Sequence, residues 1–186
     1  RDATRATRYD RAAARQATGA GSHTEAGAFY RTALEHLNGA PAGERAELLL
    51  QLGFEEYMTN RLREAIDTVS ATFPLWQEAD DPGGLAVAHE EVAVFEYYNA
   101  RRRHAEAHAD RATDIAGRSG PELTYGRARA TRGYLAYMGN DFDLALACFD
   151  DAGRIAEAER NGGSLNSGTV ALRERNMQLM QPPGTA

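Results

Sequence analysis

Lysine is absent from this chain of 186 residues, because all 21 of its basic residues are arginine. A P-loop needs a lysine for the β- and γ-phosphates of its nucleotide, and a Schiff-base enzyme needs a lysine amine. Neither kind of site can therefore exist in this sequence.

Cysteine and long apolar segments are also scarce. Cys148 is the only cysteine, which excludes an internal disulfide and predicts a reducing compartment, the cytoplasm. No apolar run approaches the roughly 20 residues that span a bilayer. The net charge of −6 argues against a surface for direct nucleic-acid binding. We therefore expect neither membrane nor nucleic acid as a partner.

The two ends of the sequence read as cuts made within a longer protein. The chain starts "RDATRATRYD", with no initiator methionine and no signal peptide, and it ends in the loop-like "QPPGTA". We therefore expect this chain to be a fragment.

What the sequence does contain is a repeated pattern of small and larger apolar residues. A small residue is followed four positions later by an apolar residue and three positions after that by another small residue, so that all three share a helical face. The central alanines of four such blocks are 39, 40 and 40 residues apart, a period that indicates a repeat array. The four blocks are Ala26, Tyr30, Ala33; Ala65, Val69, Thr72; Ala105, Ala109, Ala112; and Ala145, Phe149, Ala152.

The pattern predicts an all-α fold, a right-handed superhelix of about four helical hairpins in a single domain covering residues 1–186. Breakers rich in Gly, Pro, Asn and Asp separate the hairpins, which we place at about 5–40, 43–80, 84–118 and 121–161. A truncated fifth repeat at 165–186 contributes one helix from about Ser167 to Met180 with no partner. Its exposed apolar side chains predict self-association, fold-back or swapping of this helix.

Small residues also recur in the middle of the first helix of each hairpin, at Ala14, Gly53, Ala93 and Gly133. A glycine inside a helix costs roughly 1 kcal/mol relative to alanine. We therefore expect Gly53 and Gly133 to mark a close approach of the two helices of a hairpin.

The spacing of these small and aromatic residues resembles the tetratricopeptide repeat over residues 8 to 156. The fourth hairpin, with Gly133, Phe142, Ala145, Phe149 and Ala152, fits best, whereas the third has Ala109 where an aromatic residue is expected. The period near 40 exceeds the usual 34 and predicts longer helices or loops.

The stretch "GERAELLLQLGFEEYMTNRLREAI…LWQEADDP" further resembles the helical-repeat region of large bacterial LuxR-type transcription regulators, the MalT-like ATPases. In that family an ATPase precedes the repeats and a helix-turn-helix domain follows them. The resemblance implies that this chain is a sensor or partner-binding arm.

The first helices of such arrays line a concave groove, and their inward positions supply the candidate site. An aromatic and methionine ladder buries large area and adapts to a peptide or an amphipathic helix. The alternative is that these side chains simply pack between neighbouring helices. The ladder comprises Phe54, Tyr57, Met58, Val94, Tyr97, Tyr98, Tyr134, Tyr137 and Met138.

Arginines take the same inward positions in the first hairpin, at Arg8, Arg11 and Arg15. Such a face attracts an acidic peptide, a phosphate group or an acidic neighbouring domain, or else is simply solvated. The sequence predicts a groove that is basic at its N-terminal end and aromatic along its middle.

The other reactive residues do not form a recognisable catalytic or metal site. His104 and His108 lie four apart on a helix, but no third ligand is identifiable. The adjacent acids Glu55–Glu56 and Glu90–Glu91 point in different helical directions. We therefore predict a chain that is not an enzyme and that carries no cofactor or metal.

Three functions remain open at this point. The first is a regulatory domain of a LuxR-type regulator that binds a protein or peptide, which includes another domain of the same chain. The second is a stand-alone scaffold or adaptor, and the third is a sensor arm for a small effector.

Overall fold

The computed structural model describes residues 2–37, 39–119 and 121–162, and in these ranges the chain forms nine α-helices. They are α1 (Asp2–Gly19), α2 (His23–Glu35), α3 (Ala42–Met58), α4 (Leu62–Ser70), α5 (Phe73–Glu78), α6 (Pro82–Tyr98), α7 (Arg102–Ser119), α8 (Glu122–Met138) and α9 (Phe142–Gly162). The described residues contain no β-strand. The predicted all-α repeat fold is confirmed.

The helices divide into two compact units. The N-terminal unit runs to Asp81 and holds α1 to α5, whereas the C-terminal unit starts at Pro82 and holds α6 to α9. The assignment of residues 1–186 to a single domain stays a prediction. The predicted unpaired helix at Ser167–Met180 lies outside the described residues.

The N-terminal unit has a core built from alanine and larger apolar side chains of α1, α2 and α3. Small residues let the helices approach, and Tyr30, Leu48 and Leu52 fill the space between them. The remaining members of this core are Ala14, Ala17, Ala26, Ala33 and Leu37.

The second hairpin differs from the prediction, because two helices follow α3 instead of one. Helix α4 ends at Ser70, and α5 starts at Phe73 with Pro74 in its first turn. Proline has no backbone N–H and cannot continue a preceding helix, but it suits a first turn. The signal for this break was therefore present in the sequence at Pro74.

The C-terminal unit consists of two hairpins, α6 with α7 and α8 with α9. Its central cluster consists of Ala93, Ala105, Ala109 and Leu135, with Tyr97 and Tyr134 half-buried against it. The alanine at position 109, where the repeat pattern favours an aromatic residue, is fully buried.

The glycines in the first helices lie where each hairpin is tightest, as predicted. A Cβ atom on Gly53 would overlap Cγ2 of Val69, which belongs to α4. A Cβ atom on Gly133 would lie 2.9 Å from Cβ of Cys148 and 3.0 Å from Cε1 of Phe149, both on α9. Gly is needed at both positions because any side chain would push the helices apart.

The same turn closes all four hairpins, with a left-handed residue at Gly21, Asn60, Ala100 and Asn140. At the second turn the N–H of Arg61 donates to the carbonyl of Glu56 at 2.8 Å, and that of Asn60 donates to Tyr57 at 2.9 Å. These two bonds define the Schellman motif, which satisfies carbonyls at a helix end. Because the four left-handed residues are 39, 40 and 40 apart, backbone geometry repeats with the sequence.

Candidate functional site

The arginine face predicted on the first helix lines an open cavity of about 600 Å³ in the N-terminal unit. Arg8, Arg11 and Arg15 follow each other at intervals of three and four residues, so they share one face of α1. The rest of the wall is formed by residues 36–37 and 39–41, which lie between α2 and α3, and by Glu44 at the start of α3. The cavity is lined by Thr7, Arg8, Arg11, Arg15, His36, Leu37, Gly39, Ala40, Pro41 and Glu44.

The three guanidinium groups differ in their partners. Arg11 forms ion pairs with Glu44 at 3.3 Å and with Glu47 at 3.1 Å, both on α3. Arg8 and Arg15 are exposed and form no hydrogen bond or ion pair with another side chain in the described part of the chain. The cavity therefore contains two cations, at Arg8 and Arg15, that form no ion pair with a carboxylate of the described residues.

Four residues of the predicted ladder are inside the fold. Phe54, Tyr57 and Met58 on α3 are at most 8% exposed, and Val94 on α6 is 4% exposed. These side chains are buried and offer almost no surface to a partner, so the packing alternative holds at these positions.

The five other ladder residues keep accessible surface in the C-terminal unit. Tyr97, Tyr98 and Tyr134 are half-buried, whereas Tyr137 and Met138 are 55% and 45% exposed. The Tyr97 ring lies 5.4 Å from that of Tyr98 and 5.8 Å from that of Tyr134, both edge-to-face. We call these five residues the tyrosine surface.

The residues around Tyr97 raise the pKa of its hydroxyl. Burial raises the pKa of Tyr97, the neighbouring Tyr134 adds to this, and Arg102 acts in the opposite direction. The Tyr97 hydroxyl is therefore a neutral donor at physiological pH.

The adjacent glutamates are buried and paired with separate partners, a role that the sequence did not reveal. Oε1 of Glu55 accepts a hydrogen bond from Thr18 at 2.6 Å, and Oε2 of Glu55 lies 2.7 Å from Nδ1 of His23. Glu56 instead accepts from Arg31 at 2.8 Å and Thr68 at 2.7 Å. The predicted divergence of the two carboxylates is thus observed.

The C-terminal unit uses a buried glutamate in the same way. Glu90 is 2% exposed and lies 2.8 Å from a guanidinium nitrogen of Arg127, and it also accepts a hydrogen bond from Thr131 at 3.0 Å. Buried charges need such partners, which makes this set part of the packing of α6 against α8.

His104 and His108 contact different partners instead of each other. Nδ1 of His108 lies 2.9 Å from Nδ1 of His89 on α6, whereas Nε2 of His104 lies 3.0 Å from a guanidinium nitrogen of Arg101. Residues 104 and 108 therefore do not converge on one point. Among the residues that the structure describes, no group of three or more His, Cys, Asp or Glu could hold a metal ion.

Cys148 is fully buried against Gly133, and burial raises the pKa of its thiol. The protonated thiol is a poor nucleophile, so this cysteine serves packing. No helix in the described ranges is long and apolar enough to cross a bilayer.

Solved structures that share this fold include two that superpose over most of this chain. BtubC (BKLC) from P. vanneervenii superposes with a TM-score of 0.73 at 21% identity, over 86% of this chain and 66% of that protein. The Rap conjugation gene regulator of plasmid pLS20, in complex with the Phr* peptide, superposes with a TM-score of 0.69 at 16% identity. The superposition covers 93% of this chain and 53% of that protein. At these identities the likeness concerns the fold, and this chain spans less than two thirds of either protein.

No protein-family model matches the chain. No curated protein matches it either.

Proposed function

We propose that this chain is a regulatory helical-repeat domain that binds a peptide or a short segment of a partner protein. The tyrosine surface carries the proposal, because it presents adjacent aromatic rings and a methionine with accessible area in a helical-repeat fold. Such side chains bury large area at little entropic cost and are enriched where peptides bind. The peptide in the Rap regulator complex, whose fold is similar, supports the same class of ligand.

We further propose that the domain is non-catalytic and acts in the cytoplasm as part of a LuxR-type transcription regulator. The regulator context rests on the resemblance of residues 43–82 to the repeat region of that family. Sequencing the source gene on both sides tests it, because a "GxxxxGK[ST]" loop upstream and a helix-turn-helix downstream are expected. If neither flanks the chain, the scaffold or adaptor function replaces the regulator.

The peptide proposal is tested by selecting 12-residue peptides from a display library on the parent protein and measuring their affinity by fluorescence anisotropy. Tyr97→Ala and a double Tyr137→Ala, Met138→Ala variant are each expected to weaken binding at least tenfold, because truncating a central aromatic contact costs about 1–2 kcal/mol or more.

Tyr9→Ala is the matched control, since Tyr9 is 74% exposed and belongs to the other unit. Its affinity is expected to equal that of the parent. Equal affinity of all three variants, with folding verified by circular dichroism, would rule out the tyrosine surface as the peptide site.

A further inference from the structure

We infer that the cavity beside α1 binds an oxyanion, a carboxylate or phosphate group carried by a small effector or a peptide end. This inference is independent of the tyrosine surface, which belongs to the other unit. It rests on the charges, partners and shape of the cavity lining.

Helix α1 carries a net positive charge. The helix carries four arginines and two aspartates, although the chain as a whole has a net charge of −6. Like charges three or four residues apart on one helix face destabilise the helix slightly. A bound anion would remove this repulsion at the cavity.

Of the three arginines that line the cavity, Arg11 is held in ion pairs, whereas Arg8 and Arg15 are not. Glu44 and Glu47 hold Arg11 across the gap to α3 and offset its charge. Arg8 and Arg15, on either side of Arg11 in the sequence, retain unused N–H donors. A guanidinium donates two parallel hydrogen bonds that match a carboxylate or phosphate, and it is less strongly hydrated than an ammonium group.

The size and the apolar part of the lining favour a small organic anion over a bare ion. A volume of about 600 Å³ falls within the range of small-molecule sites. Leu37, Ala40 and Pro41 supply apolar wall, and His36 supplies a further polar group. A ligand with one anionic group and an apolar or planar body fits this combination.

Calorimetry at low ionic strength tests the site with two pairs of probes. Adenosine monophosphate, compared with adenosine, represents the phosphate source, and benzoate, compared with benzamide, represents the carboxylate source. At least one charged probe is expected to bind the parent tenfold or more tightly than its neutral counterpart. Whichever pair discriminates identifies the source of the oxyanion.

The double variant Arg8→Gln, Arg15→Gln is expected to weaken binding of that probe at least tenfold, since it removes the charge-assisted hydrogen bonds that both guanidinium groups donate to the anion. The matched control is Arg63→Gln, Arg103→Gln, which removes the same charge at two exposed arginines outside the lining. It is expected to retain the parent affinity.

A third variant, Glu44→Gln, is expected to bind the probe more tightly, because among the described residues Glu44 is the carboxylate that lines the cavity. Two results would overturn the inference: neither charged probe exceeds its neutral counterpart, or the control variant loses as much affinity as the Arg8, Arg15 variant. The peptide proposal and the oxyanion inference can be tested separately. Tyr97→Ala is expected to weaken binding of the selected peptides and to leave the affinity for the charged probe unchanged.

Discussion

Buried polar side chains specify much of the packing at the scale of single residues. Glu55 has no exposed surface, yet each of its carboxylate oxygens has a partner from the end of α1 or the start of α2. Removing one partner of a buried charge is costly, about 3–5 kcal/mol for an ion pair. Such glutamates fix the register of the helices that they join.

The pair formed by His89 and His108 is a second polar contact inside a unit. Their ring centres are 5.1 Å apart and their Nδ1 atoms 2.9 Å apart, so the two nitrogens lie nearly on the line between the rings. One nitrogen must donate and the other accept. The contact therefore requires at least one neutral imidazole.

We predict that this pair makes the protein less stable in acid. The pKa of His89 is lowered to about 4, first by burial and then by the charges of His108 and Arg111. The pKa of His108 is lowered by burial and His104, against the effect of Glu96. Between pH 6.5 and about 4 the unfolded chain thus binds more protons, so the free energy of unfolding falls as the pH falls.

Urea unfolding at pH 7.5 and pH 4.5 measures this effect, with an expected loss of about 2 kcal/mol from a half-buried group. The variant His89→Gln should show a smaller loss than the parent. His36→Gln controls for the removal of a histidine as such. An equal loss in the parent and in His89→Gln would mean that the pair is not responsible.

At the scale of helices and turns, the hairpins depend on close approach and on a repeated turn. Gly53 and Gly133 contact the second helix of their own hairpins, while Ala14 and Ala93 are fully buried at the equivalent places. The Schellman turn then reverses the chain after each first helix. Both features recur with the repeat period, so each hairpin is built by the same local rules.

We predict that Gly53→Ala destabilises the protein despite the better helix propensity of alanine. Inside a helix alanine is favoured over glycine by roughly 1 kcal/mol. The new Cβ would overlap Val69, however, and such overpacking costs about 1–3 kcal/mol, which outweighs the gain in helix propensity. The melting temperature should fall. Gly153→Ala is the matched control, because nothing lies within 4 Å of its added Cβ, and its melting temperature should rise. A rise in both variants would contradict the close approach.

We predict that Ala100→Gly stabilises the third hairpin. Ala100 has φ of 59°, a left-handed conformation that costs an L-residue with a Cβ roughly 1–2 kcal/mol. The expected gain in the free energy of unfolding is about 1 kcal/mol. Ala107→Gly, at an exposed position inside α7, should instead lose about 1 kcal/mol. Chemical denaturation compares the two, and a loss in both would contradict the turn assignment.

At the scale of the whole molecule, the structure presents two different surfaces in two compact units. The N-terminal unit has the cavity lined by Arg8 and Arg15, and the C-terminal unit has the tyrosine surface. The predicted self-association through the last helix concerns residues outside the described ranges and stays a prediction. Phe142, Leu146 and Phe149 on α9 are exposed apolar residues in the described part of the same unit.

The sequence by itself determined the repeat, because the recurrence of small residues and breakers near every 40 positions reflects local rules of helix packing and termination. It also placed the glycines of close approach, since glycine inside a helix has a cost that requires a compensating contact. Pro74 marked the break between α4 and α5, although the pattern of Ala65, Val69 and Thr72 suggested a continuous helix.

Only the tertiary structure separated core from surface along the predicted ladder. Tyr57 and Tyr137 occupy equivalent repeat positions, yet one is fully buried and the other is 55% exposed. Periodicity fixes the direction of a side chain from its helix, whereas exposure depends on which elements pack over it. The partners of Glu55 and the cavity beside Arg8 and Arg15 likewise arise from residues distant in sequence, which no local pattern could bring together.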